Sequence, residues 1–162
     1  MSIRVVRLGT PRVKDEGLRL GTVRRPPRGV KKEDYARRDF YDVWVPDLAP
    51  SAELVSWLLS EPITDPRWNK FVRGYRAEMK DAKSDRLLAL LAALSQRTDF
   101  SVGCYCENEE RCHRSVLREL LREHGAEMSS SAGFPSSCSS ASSLWERAAP
   151  PGRRARWRRL PA

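Results

Sequence analysis

The stretch Gly103 to Arg114 reads Gly-Cys-Tyr-Cys-Glu-Asn-Glu-Glu-Arg-Cys-His-Arg, and brings together Cys104, Cys106, Cys112, His113, Arg111 and Arg114. Thiolates and imidazoles are nucleophiles and soft metal ligands, and arginines are fork-shaped anion donors. Three chemistries follow from one string. An anion site would use Arg111 and Arg114, three apart on a first helical turn and able to reach the same phosphate. A cysteine enzyme would use Cys112 as nucleophile and His113 as its acid/base partner, with the thiol pKa lowered by a helix N-terminus and nearby arginines. A zinc site would use Cys104, Cys106, Cys112 and His113 as four ligands. The plain alternative is a set of small buried hydrophobes beside a solvated glutamate-rich turn.

Spacing bears on each. Extended residues two apart lie roughly 6.5–7 Å apart at Cα, so Cys104 and Cys106 chelate together only if the strand curls. Cys112 and His113, as neighbours on a helix, would point about 100° apart, which argues against both their pairing and a shared ion. A Cys104–Cys106 disulfide is strained at that spacing, and without a secretory signal reduced thiols are expected. Cys112 and Arg118 match a Cys-x5-Arg phosphatase string, but His113, Arg114, Val116 and Leu117 do not form the small-residue phosphate cradle it needs.

A second basic motif, Arg24-Arg-Pro-Pro-Arg-Gly-Val-Lys-Lys, carries five cations between Arg24 and Lys32. Its prolines stiffen the display and Gly29 permits a turn. Placed on the same sheet edge as Cys112-His113-Arg114, Arg24 and Arg28 would complete one basic pocket for a nucleotide or nucleic acid. Placed elsewhere, the motif is a connecting loop.

These motifs need a scaffold. Ile3–Leu8, Gly17–Arg24, Asp39–Val45 and Phe100–Tyr105 are β-branched, aromatic or alternating, and read as strands. Helices are expected from Ser51 as cap, from Asp65-Pro66 with Trp68, Phe71, Val72, Tyr75 and Met79 in one stripe, from Ser84 through the leucines, and across Val116–Leu121 with Gly125 as stop. The order predicts an α/β domain over 1–128: a small, mostly parallel sheet of about four strands covered by helices, ending in a parallel βα unit. In such sheets ligands bind at strand carboxyl ends, where Cys104 gives way to the last helix.

The chain has 162 residues and a formal net charge of +9. Residues 1–38 carry +8, residues 39–128 carry −4 and residues 129–162 carry +5, so the total says less than its distribution. From Ser129 to Ser143 nine of fifteen residues are serine, and an arginine-rich run follows Pro150-Pro151. This composition predicts a disordered tail over 129–162. The longest apolar run, Leu87–Leu94, has eight residues where a membrane span needs roughly 20, and Arg4 and Arg7 interrupt any signal core. A cytoplasmic protein without a membrane partner is expected.

Several stretches resemble the YeaO-like family of domain-of-unknown-function proteins. They are Arg25 to Lys32, Asp39-Phe-Tyr-Asp-Val-Trp-Val-Pro, Leu48-Ala-Pro-Ser, and the closing Gly-Cys-Tyr-Cys and Arg-Cys-His-Arg pieces, together covering about residues 1–128. The resemblance implies a small intracellular bacterial-type α/β protein ending near residue 128. It maps Pro-Arg-Gly onto Pro27, Arg28 and Gly29, and Cys-His-Arg onto Cys112, His113 and Arg114. Other branches of that family carry Asp-Arg-x-Trp where this chain has Val23, Arg24, Arg25 and Pro26, so no role for that Asp or Trp transfers.

Overall fold

The structure, a computed structural model, describes residues 1–129. Four strands are present: β1 (Ile3–Arg7), β2 (Leu18–Gly21), β3 (Val43–Trp44) and β4 (Phe100–Cys104). All pair in parallel, in the order β1-β4-β2-β3. Four helices accompany them: α1 (Ala52–Leu59), α2 (Asp65–Glu78), α3 (Ala82–Ser95) and α4 (His113–Glu123). The expected small parallel α/β sheet is what the chain forms.

β4 enters last and lies between β1 and β2, with Val102 in register with both Val5 and Leu20. Every residue of β4 is buried, as a central parallel strand requires. Its Phe100 and Val102 join Ile3 and Leu20 in the core, against Phe71 and Tyr75 of α2, Leu88 and Leu91 of α3, and Leu117 and Leu121 of α4. The leucine and aromatic stripes of the sequence are therefore core.

The strand expected over Asp39–Val45 shrinks to Val43–Trp44. Asp39 takes a left-handed turn (φ 58°), and the Asp42 carboxylate accepts from the backbone N–H of Arg19 at 2.8 Å. A side chain thus takes a place in the ladder that a backbone carbonyl would fill. Tyr41 instead packs on Gly21, where any Cβ would strike its ring. Helix starts also move slightly: Thr64 rather than Asp65 caps α2, and Asp81 caps α3, while Ser51 caps α1 by accepting from the Leu54 N–H.

After α4, Gly125 turns left-handed (φ 84°) and the chain returns to the free edge of β1. The Ile3 N–H donates to the Glu127 carbonyl at 2.8 Å, and the Ser129 N–H donates to the Ile3 carbonyl at 2.9 Å. Ser129, assigned to the tail by composition, closes that edge; the rest of the expected tail lies outside the described residues. Among the described residues no helix is long and apolar enough to cross a membrane.

Candidate functional site

The site is built where β4 ends. Gly103 is tight against the Val6 and Leu8 side chains, which holds the strand close to its neighbour up to Cys104. The chain then leaves the sheet and turns. The Asn108 side chain accepts from the Glu110 N–H, and the Cys112 N–H donates to the Glu109 carbonyl at 3.1 Å. Cys112 is the extended N-cap of α4 (φ −123°, ψ 146°), and His113 is the first helical residue. This overturns the argument from helical neighbours: because Cys112 is not helical, its Sγ lies 3.8 Å from His113 Nδ1.

The curl that chelation demands is also present. The Sγ atoms of Cys104 and Cys106 are 3.6 Å apart, and those of Cys104, Cys106 and Cys112 all lie within 4.8 Å of one another. No disulfide joins these three cysteines. Cys104 and Cys112 are buried beside Leu8, Val23 and Tyr41, while Cys106 is exposed. Within this cluster the Cys104 thiol donates and is pushed up. The hydrogen bond it gives pulls Cys106 well below the ordinary thiol range, with help from the nearby Arg114 charge. Cys112 is lowered as well, again mainly through Cys104.

His113 Nε2–H donates to the Thr22 carbonyl at 2.8 Å, and Tyr75 stands edge-on to its ring at 5.7 Å. A carbonyl only accepts, so Nε2 carries the hydrogen and, in the neutral ring, Nδ1 presents its lone pair to the Cys112 thiol. Arg114 is only 2% exposed. Its guanidinium donates to the Cys106 carbonyl at 2.7 Å, its Nε has no partner, and no carboxylate pairs with it among the described residues.

A cleft of about 830 Å³ opens over these groups. Its floor includes Cys104, Cys106 and His113, one wall is Val23 to Arg28, and α1 supplies Val55 and Leu59 opposite. Phe40 and Tyr105, packed edge to face at 6.1 Å, add aromatic surface. The basic loop after β2 and the thiol turn after β4 thus share one cleft, because β2 and β4 are adjacent parallel strands whose carboxyl ends emerge together.

Not every expected residue faces it. Arg24 and Arg28 line the cleft; Arg24 also donates to the Ala49 and Pro50 carbonyls, which ties the loop to the start of α1. Arg114 is turned inward beneath Cys106. Arg111 pairs with Asp65 and sits over the Trp68 ring at 5.9 Å, away from the lining. Cys112 is buried and reaches the cleft only through its neighbours. Sequence reasoning passed over Arg25, Phe40 and Tyr105 as lining residues, and over Thr22, whose carbonyl orients His113. Arg25 was legible as the neighbour of Arg24 in the proline-stiffened loop. The Thr22 carbonyl carries no signal in a sequence.

Comparison with known proteins places this arrangement in a family. A family model described as the active DUF488-N3 subclade matches residues 3–125, and the chain belongs to that domain-of-unknown-function family. Uncharacterised proteins of Mycobacterium tuberculosis and Mycobacterium bovis are each 30% identical to it over 119 residues, covering 74% of this chain and 92% of theirs. No solved structure matches the chain.

Proposed function

We propose that this member of the active DUF488-N3 subclade binds a phosphate-bearing ligand, a nucleotide or a segment of nucleic acid, in the cleft above the thiol turn. The observation that carries the reading is the composition of the lining: Arg24, Arg25 and Arg28 are exposed on it, and no carboxylate is. Arg25 and Arg28 have no hydrogen-bond or ionic partner among the described residues, so their guanidinium forks are available to an anion. Around them Val23, Pro26, Pro27, Phe40 and Tyr105 offer apolar and aromatic surface on which a base can lie. The volume suits a ligand of nucleotide size.

The Pro27-Arg28-Gly29 and Cys112-His113-Arg114 motifs, which carry the resemblance to YeaO-like proteins, come to this end of the sheet, and we read them as parts of one site. Arg28 contacts the ligand, while Arg114 acts through Cys106 by holding the turn that carries it. We place the protein in a reducing, cytoplasmic setting, which would keep three thiols in close array from pairing.

The test is a thermal-shift screen with nucleoside phosphates and short single strands on the wild type and on an Arg25→Ala/Arg28→Ala variant. The wild type should be stabilised by a phosphate-bearing ligand. The variant should bind it roughly ten- to a hundredfold more weakly, at about 1–1.5 kcal/mol for each charge-assisted contact. No shift with any phosphate ligand, or an undiminished shift in the variant, refutes the proposal.

A further inference from the structure

The phosphate reading leaves the thiols without a task, and their geometry supports one independently of it. We infer that Cys104, Cys106 and Cys112 hold a zinc ion at the floor of the cleft, with His113 Nδ1, 3.8 Å from Cys112 Sγ, closing in as the fourth ligand.

Distance comes first. Tetrahedral zinc with Zn–S bonds of about 2.3 Å has S···S edges of about 3.8 Å. Cys104 and Cys106 stand at 3.6 Å, and no pair among the three sulfurs exceeds 4.8 Å. The Cys112 Sγ to His113 Nδ1 separation of 3.8 Å is likewise near a coordination edge. The three sulfurs come from three backbone settings: a strand end, a turn and a helix N-cap. The preorganisation is therefore tertiary and not an accident of one helix.

The histidine is dressed as a ligand. A metal-bound imidazole characteristically donates its other N–H to a backbone carbonyl or carboxylate, which fixes tautomer and ring direction. His113 does this to the Thr22 carbonyl at 2.8 Å, leaving Nδ1 toward Cys112 Sγ.

Charge supplies the third observation. Arg114 is buried beneath Cys106 with an unpartnered Nε and no carboxylate among the described residues. Three thiolates, a neutral imidazole and Zn²⁺ sum to −1, a net anion beside an arginine that has no carboxylate partner. Leu8 and Val23, packed with Cys104 and Cys112, give the site an apolar flank. A soft sulfur-rich donor set in four-coordinate geometry points to zinc over harder divalent ions.

The experiment is metal analysis of the purified full chain under reducing conditions, with cobalt(II) substitution of the stripped protein. About one zinc per chain is expected, with cobalt giving the thiolate-to-metal charge-transfer band and intense visible absorption of a tetrahedral site. Cys106→Ser changes an exposed side chain and should keep the fold by circular dichroism while zinc affinity falls at least about a hundredfold. His113→Ala should move the cobalt spectrum, and replacing the chain's fourth cysteine, in the serine-rich stretch outside the described residues, by Cys138→Ser should leave zinc content unchanged. The inference is overturned if zinc-equilibrated protein holds no metal and all its thiols react with Ellman's reagent. It is equally overturned if Cys106→Ser binds as tightly as wild type, if zinc is lost with Cys138, or if copper(I) is retained and zinc refused. An unmoved cobalt spectrum in His113→Ala removes the histidine from the ligand set. None of these outcomes depends on phosphate binding, which the arginine variants test separately.

Discussion

Two arginines of this domain are buried, and they are treated in opposite ways. Arg19, on β2, is fully enclosed, and Glu16, itself 3% exposed, receives its Nε at 2.6 Å and its Nη2 at 2.8 Å. The remaining nitrogen donates to the Thr10 and Asp39 carbonyls, and the Glu16 carboxylate also accepts from Ser101 Oγ–H at 2.7 Å and from the Val13 N–H. Every charge there is matched within the chain. Arg114, equally buried, donates to one carbonyl, lies near the Cys106 thiol and has no carboxylate partner among the described residues. The first arrangement is finished and anchors loops to the sheet. The second, at the end of the sheet where ligands bind, is completed by something the chain does not supply.

Breaking the finished pair should have the largest effect. Glu16→Ala leaves Arg19 charged and enclosed, and is expected to cost about 3–5 kcal/mol in a urea melt. A loss below about 1 kcal/mol would show that water reaches Arg19 and that the pair is not closed. The same carboxylate gives the acid limit a sign. Burial opposes its ionisation, but the hydrogen bonds from Arg19, Ser101 and the Val13 N–H outweigh burial and hold Glu16 below its ordinary value of 4.5. Its contribution is therefore present above that unfolded-state value and is lost as pH falls through the lower folded one. Glu16→Gln should flatten stability against pH in that acid range alone, and an unchanged profile would assign acid unfolding to other groups.

Arg114→Met should behave differently. In chelated protein the substitution removes a buried charge that has no carboxylate partner, so stability should stay within about 1 kcal/mol of wild type. Zinc affinity should fall roughly ten- to a hundredfold, the usual range for residues that support a ligand shell from outside. A collapse of the metal-free protein would mean that Arg114 is a structural residue like Arg19. The smallest effect belongs to an arginine paired in the open: Arg76 contacts both Glu123 oxygens at 2.9 Å, with side chains 35% and 55% exposed. Glu123→Ala should cost no more than about 0.5 kcal/mol, and less as salt rises. A larger loss would rank surface pairing beside burial and blur the contrast between Arg19 and Arg114.

Much of this was legible in the sequence, and the exceptions share a cause. The helices could be read because their stripes bury side chains of their own, as Leu88, Leu91, Phe71 and Leu117 do. β4 could be read because a short β-branched and aromatic run suits a strand buried on both faces. The Asp39–Val45 run has the same composition, yet its first residues turn, because Asp42 and Tyr41 answer to Arg19 and Gly21 on another strand. At the site, residue types announced a thiol and arginine cluster and the adjacency of two basic motifs. Periodicity misjudged Cys112 and His113, since a helix start puts one residue outside the helical geometry that the other obeys. Which arginines face a ligand depends on burial that no local pattern encodes: Arg114 and Arg111 are turned elsewhere, and Arg25 and Arg28 are free.

Calorimetric titration of the wild type with a 5′-ribonucleotide and with its parent nucleoside, at low and at high salt, tests the central claim most directly. If the positive charge around the cleft awaits a phosphate, the nucleotide should bind at least about tenfold more tightly at low salt, and that advantage should shrink as salt rises. Equal affinity for the two, or a preference that salt leaves untouched, would contradict it.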